Sequence, residues 1–218
     1  MALKLEKHVK IDGKLTLKTG MRIGGSKEEI EIGGMDNPII RDPLSELPYI
    51  PGSSLKGKIR SSLEYKHGKV GPDGMPCGCR QRDCLVCRIF GPHIQRGSRE
   101  HDLGPSRLIV RDALLPEESK KDLEKLKEKG LLYAETKTEN IIDRRTGVAA
   151  SRGGPRTQER VPAGASFDFH MSIRIFDDDD EEKLVSFVEE GRKLLGEEYL
   201  GGSGTRGYGW VKVDYEVS

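Results

Sequence analysis

The sequence is short of aromatic residues, which fill 6% of its 218 positions and include one tryptophan, Trp210. Apolar residues reach only 34%, so the core is modest and the polar surface large. No apolar run approaches the roughly 20 residues of a membrane-spanning helix. The N-terminus lacks the apolar stretch of a secretory signal. Together these absences exclude a membrane partner and make the cytoplasm the expected compartment. Neither an internal repeat nor a Ser/Pro linker divides the chain, which predicts a single domain over residues 1–218. Net charge is almost absent too, at +1.

That small net charge conceals a segregation. Between Arg80 and Arg111 stand seven arginines against Asp83, Glu100 and Asp102. Between Ile141 and Pro162 stand five arginines against Asp143 and Glu159. Acids gather instead in the "FDDDDEEK" block, where a solvated face is the ordinary expectation. The basic segments are glycine-rich and lack helical apolar periodicity. Arginine's forked guanidinium suits phosphate, so a basic surface for nucleic acid is expected.

Periodicity organises the rest. "HVKIDGKLTLK" alternates Val9, Ile11, Leu15 and Leu17 and reads as a strand. "PGSSLKGKIRSSLEYKHG" offers Ser53 and Ser54 as N-caps and sets Leu55, Ile59 and Leu63 on one helical face. "SRLIVRDALL" reads as a strand, and "PEESKKDLEKLKEKG" as a helical or solvated excursion. "YAETKTENIIDRRTGVAASRGGPRTQERVPAG" has strand-like ends and a Gly/Arg-rich middle, as in a long hairpin. "SFDFHMSIRIF" is a strand. A helix burying Leu184, Phe187, Val188, Leu194 and Leu195 follows, and "YGWVKVDYEV" closes the chain as a strand. The resulting order is strand, helix, strand, strand, helix, strand. It predicts an α+β, ferredoxin-like (RRM-like) βαββαβ palm, an antiparallel sheet with two helices on one face. Inserts interrupt it at about 23–49, 67–106 and 116–164. Inserts of that length in a compact domain carry function more often than not.

All four cysteines, Cys77, Cys79, Cys84 and Cys87, fall within eleven residues. Such crowding in a cytoplasmic chain favours a metal over disulfides, and four thiolates suit a tetrahedral, structural zinc. The Cys77–Cys79 spacing is the less usual half. A histidine in place of Cys77 or Cys79, from His67, His93 or His101, is the alternative ligand set.

Two glycine-rich stretches suit phosphate. "PGSSLKGKIR" places Ser53 and Ser54 at a helix N-terminus, with Lys56 and Arg60 one turn apart. "GGSGTRGYGW" supplies adaptable backbone amides around Arg206, without P-loop or dinucleotide spacing. Ahead of both, "IGGMDNPIIRDP" sets Asp36 between a glycine pair and a proline. Local rules alone make that acid turn chemistry.

"MDNPIIRDPLSELPYIPGSSLKGKIRSSLE", "ENIIDRRTGVAASRGGPRTQERVPAGASF" and "GGSGTRGYGWVKV" resemble the RAMP superfamily of CRISPR proteins. More closely, they resemble the backbone subunit of type III-A (Csm) effectors. The resemblance covers essentially the whole chain, and the cysteine insert is its least general part. It implies a subunit that stacks with copies of itself along a guide RNA, beside other Csm subunits. A thumb at Leu131 to Pro162 would wedge into the guide–target duplex and flip a base pair at regular intervals. Ser53, Ser54, Lys56 and Arg60, with Arg22, Arg144, Arg145 and Arg206, would contact RNA. Asp36 would cleave target RNA beside each flipped base, either by holding Mg²⁺ or Mn²⁺ or by accepting the 2′-OH proton, and Asp42 would be structural. A splayed nucleotide lets its 2′-OH line up with the adjacent phosphate, which A-form stacking prevents. A non-catalytic RNA-binding scaffold is the rival class. A guide-processing nuclease would want a histidine beside Asp36, and the sequence puts none there.

Overall fold

The computed structural model describes residues 3–24, 38–94, 102–128, 130–131, 133–150 and 155–218. Asp36 and His101 lie outside the described residues.

The first expected strand forms β1, Leu5–Leu17, and its alternation sets the sheet's two faces. Val9, Ile11, Leu15 and Leu17 are buried, while His8, Lys10 and Asp12 face outward. β5, Ser166–Phe176, pairs antiparallel with β1 from Leu5–Phe176 to Thr16–Ser166. β6, Val211–Val217, pairs with the other edge of β1, and β2, Leu108–Val110, pairs with β5. The strand order is therefore β2-β5-β1-β6, antiparallel throughout. The expected second strand is shorter than its apolar run, because single bridges, Ile50–Ala113 and Leu114–Asp168, replace the ladder after Val110.

Helices α1, Gly52–Lys66, and α4, Glu181–Glu197, pack together over the buried residues of the sheet. α1 contributes Leu55, Ile59 and Leu63, all fully buried. α4 contributes Leu184, Phe187, Val188 and Leu195, with Leu194 half-buried at the margin. The contact is close at Gly191. A Cβ there would lie 2.6 Å from Ile59 Cγ2 and 2.7 Å from Leu63 Cδ1. Only glycine fits without repacking.

Several local expectations need correction. α1 begins at Gly52 with Pro51 as its N-cap, so Ser53 and Ser54 sit in its first turn and do not cap it. A distant acid serves instead: Asp112 Oδ1 accepts the Gly52 N–H at 2.7 Å. The acidic block is not simply solvated, since the Asp179 carboxylate is wholly buried between Arg107 and Arg88. The excursion after β2 forms α3, Glu117–Glu128, which buries Leu123 and Ser119. The cysteine insert carries its own short helix, α2, Leu85–Phe90, and buries Val86, Ile89 and Phe90. Finally, β3, Glu135–Glu139, and β4, Arg156–Arg160, form a separate two-stranded sheet, the expected hairpin.

Candidate RNA interface and metal centre

The described residues on either side of 25–37 lie next to each other. Gly24 pairs with Ile39 as an isolated antiparallel bridge, and the Ile40 N–H donates to Ile23 O at 2.9 Å. A buried carboxylate of the hairpin secures the returning arm. Glu159 on β4 accepts the Ile39 N–H at 2.9 Å and the Arg41 Nη1–H at 2.9 Å, and its other oxygen pairs with Arg41 Nη2. A charge-assisted, mostly desolvated clamp of this kind orients chain well. Ile39 and Arg41, just past the undescribed residues, are thus tied to the hairpin. Asp42 closes its own turn, accepting from the Leu44 and Ser45 N–H groups and the Ser45 hydroxyl. The Ser45 bonds hold its carboxyl below the usual range, as befits a structural acid.

The glycine-rich loop lies against the same root. The Gly202 N–H donates to Arg22 O at 2.8 Å, and the Gly209 N–H to Gly20 O at 3.0 Å. Gly201 has φ +85°, and a Cβ there would stand 2.3 Å from Arg22 O, so the approach depends on glycine. Arg206 ends a 3₁₀ turn, Gly204–Arg206, and its Nε lies 3.6 Å from Glu139 Oε2 on β3. Glu139 also accepts the buried Tyr208 hydroxyl at 2.7 Å and the Gln158 amide at 3.3 Å. Burial first, then the Glu139 bond, pushes the Tyr208 hydroxyl up to about 12, so it stays a donor. Gln158 Oε1 accepts in turn from Arg22 at 3.5 Å. Arg22 and Arg206 are thereby brought to one polar cluster at the hairpin base.

The α1 group has its cations turned to structural partners. Lys56 Nζ donates to Leu108 O at 2.7 Å, and burial, aided by Arg174 and Arg60, lowers its pKa. Arg60 pairs with Glu64 at 2.8 Å and donates to Cys77 O at 2.9 Å. Arg144 and Arg145 sit at the far tip, where Ile142 bridges to Ala149 and Asp143 accepts the Arg145 N–H at 2.8 Å. The Arg145 side chain is 90% exposed there.

Sequence reasoning assigns no role to Glu159, Glu139, Arg41 or Tyr208. Only Glu159 carries a signal in the sequence, as an acid between Arg156 and Arg160 in an otherwise basic stretch.

The four cysteines converge. Sγ–Sγ distances are 3.9 Å for Cys77–Cys84, 3.7 Å for Cys79–Cys87 and 3.6 Å for Cys77–Cys87, and all four sulfurs lie within 4.8 Å of one another. A tetrahedral thiolate centre with metal–sulfur bonds of about 2.3 Å requires sulfurs about 3.8 Å apart. The set fits one metal ion. Burial pushes the Cys84 thiol up to about 11 and raises Cys87 also. At Cys79 burial acts the same way, but hydrogen bonds from the Gln81 backbone and neighbouring thiols leave it below its ordinary value. His67 is engaged elsewhere, at 2.7 Å from Glu190 and with its ring tilted against Phe187, while the His93 backbone N–H donates to Cys77 O. The insert is also tied to α1, because Glu64 Oε1 accepts the Cys77 N–H at 2.8 Å.

Among the described residues, no helix is long and apolar enough to cross a membrane. A family model described as the RAMP superfamily matches residues 14–212. The chain is 48% identical over 215 residues to a protein of Methanocaldococcus jannaschii named "CRISPR system Cms endoribonuclease Csm3", covering 96% of this chain and 80% of that one. It is 44% identical over 223 residues to the Methanothermobacter thermautotrophicus protein of the same name, covering 96% and 85%. Among solved structures, a Csm3–Csm4 subcomplex of the type III-A CRISPR-Cas interference complex matches with TM-score 0.59 and 35% identity, covering 100% of this chain and 80% of that one. A Methanopyrus kandleri Csm3 crystal structure matches with TM-score 0.59 and 25% identity, covering 98% and 78%.

Proposed function

The chain belongs to the RAMP superfamily, among its Csm3 members, and from that premise we propose that it is the guide-RNA-binding backbone subunit of a type III-A CRISPR interference complex and an endoribonuclease of target RNA. Similarity over 96% of this chain to two proteins named as Csm3 endoribonucleases carries this proposal. The fold supports it. The order β2-β5-β1-β6 with α1 and α4 is consistent with a ferredoxin-like palm in one domain over 1–218, and β3–β4 with its thumb.

In this proposal the chain stacks with copies of itself and with other Csm subunits on a guide RNA in the cytoplasm. Ser53, Ser54, Lys56 and Arg60 on α1, Arg22 and Arg206 at the hairpin base, and Arg144 and Arg145 at its tip are its RNA contacts. Lys56 and Arg60 would have to leave Leu108 O and Glu64, or act from those positions, to reach phosphate. The four cysteines hold a structural zinc, whose chemistry is to close the insert onto α1. The tip would part a guide–target base pair and bring the adjacent 2′-OH into line with its phosphate. Asp36 would then hold the divalent ion or take that proton, Mg²⁺ or Mn²⁺ supplying charge neutralisation at the phosphate. Glu159 holds Ile39 and Arg41, the described residues that follow Asp36 in the chain.

Replacing Asp36 with Ala in the assembled complex tests this. Target cleavage is expected to fall at least 100-fold (the scale of removing one acid–base group) while guide affinity stays the same. Undiminished cleavage makes the chain a non-catalytic RNA scaffold.

A further inference from the structure

We propose that the groove between the C-terminal half of α4 and the start of β6 is an additional RNA contact, in which the Trp210 ring stacks on an unpaired nucleobase and neighbouring lysines hold the flanking phosphates. This rests on the RNA-binding function proposed above and adds a site to it.

The chain's one tryptophan is 54% exposed, which leaves much of a large, flat, amphipathic ring open to a partner. Its orientation is nevertheless set by polar bonds. The indole N–H donates to Gly196 O at 3.3 Å, and the backbone N–H to Thr19 Oγ1 at 3.0 Å. The Trp210 carbonyl accepts the Lys18 N–H at 2.8 Å. A ring held this way loses little freedom on stacking.

Cations surround it. The groove, of about 250 Å³, is lined by Lys18, Arg192, Lys193 and Lys212 besides Trp210, and among the described residues no carboxylate lines it. Arg192 is fixed 3.6 Å over the Tyr215 ring and 3.4 Å from Val213 O, which leaves its charge at the groove wall. Lys212 pairs with Asp214 at 2.8 Å, but both are more than half exposed, so the pair is weak and a phosphate can displace it. A fixed aromatic face in a cationic groove is how proteins bind single strands without reading sequence. That suits a subunit that must accept any guide. Exposed tryptophan is also a protein hot spot, but the predominantly cationic lining favours a polyanion.

Because Trp210 is the sole tryptophan, its emission reports the site directly. The full chain would be titrated with single-stranded oligoadenylate, following tryptophan emission and the anisotropy of end-labelled RNA together. Quenching that saturates with the anisotropy is expected, and inorganic polyphosphate should bind without quenching. Trp210→Ala should weaken RNA binding roughly 5- to 150-fold, the worth of one stacked base. Trp210→Phe should restore most of that loss and so controls for folding. Lys18→Glu with Lys193→Glu should weaken binding and flatten its salt dependence. Silent emission with intact RNA binding and an unaffected Trp210→Ala variant overturns this site and leaves the proposed function standing. A chain that binds no RNA overturns both. Emission that shifts on assembly with sister subunits, and not with RNA, assigns the face to a protein and overturns the proposal.

Discussion

At the scale of the residue, Asp179 shows how surroundings decide what an acid does. It sits in a run of four aspartates, yet its side chain is fully buried, 2.9 Å from Arg107 and 2.6 Å from Arg88. Arg107 is buried as deeply and also donates to Leu103 O and Pro105 O, each at 2.7 Å. Desolvation opposes Asp179's charge, but bonds from Arg107, the Phe176 N–H and Arg88 outweigh it and hold its pKa below 3.8. Its folded pKa being depressed, the stabilisation is present above 3.8 and is lost as pH falls through the lower folded value. Asp179→Asn leaves buried Arg107 with only the half-exposed Asp178, 3.3 Å away, as counter-charge. It should cost about 3–5 kcal/mol in urea unfolding at pH 7, and the gap from wild type should narrow in strong acid. A gap that persists unchanged in acid would count against the ion pair as its source. Asp36 and Asp42 make the complementary case. Two acids six residues apart cannot be told apart by local rules, and only the bonds around Asp42 identify it as structural.

At the scale of the element, the cysteine insert is coupled to α1. Glu64 accepts the Cys77 N–H while Arg60 donates to Cys77 O, so two side chains of one helix hold both backbone groups of a metal-binding residue. The spacing of the cysteines foretold the cluster, and the periodicity of α1 foretold its buried face. Their junction was not foretold, since Arg60 and Glu64 read in isolation as an ordinary helical i,i+4 pair. Stripping the metal with a chelator, or replacing Cys84 with Ser, should release one zinc per chain and lower the melting temperature by roughly 5–10 °C. Hydrogen exchange should quicken in the second half of α1 and stay unchanged in β3–β4. Unaltered exchange in α1 would show that the insert is held independently of the helix.

At the scale of the whole molecule, net charge says little and charge placement much. A chain of net charge +1 binds polyanions only where its cations are gathered, and Arg144 and Arg145 stand together at an exposed tip beside Ile141 and Ile142. For single-stranded RNA each neutralised phosphate steepens the salt dependence of affinity by about 0.7 in a double-logarithmic plot. Replacing both arginines with Gln should reduce the slope for the assembled complex binding target RNA by about 0.7 for each. Anisotropy across a potassium chloride series would measure it, and an unchanged slope would remove the tip from the phosphate contacts.

The sequence alone determined what depends on neighbours along the chain: the alternation of β1 and β5, the apolar faces of α1 and α4, and the crowding of the cysteines. Those patterns are strong because strand and helix periods are short and burial enforces them. Only the tertiary structure decided which distant groups meet. Glu159 reaches back to Ile39 and Arg41, Glu139 gathers Tyr208, Gln158 and Arg206, and Asp112 serves the start of α1. Such pairs are separated by 19 to 120 residues and carry no period, so complementarity becomes specific only once the fold has set the distances.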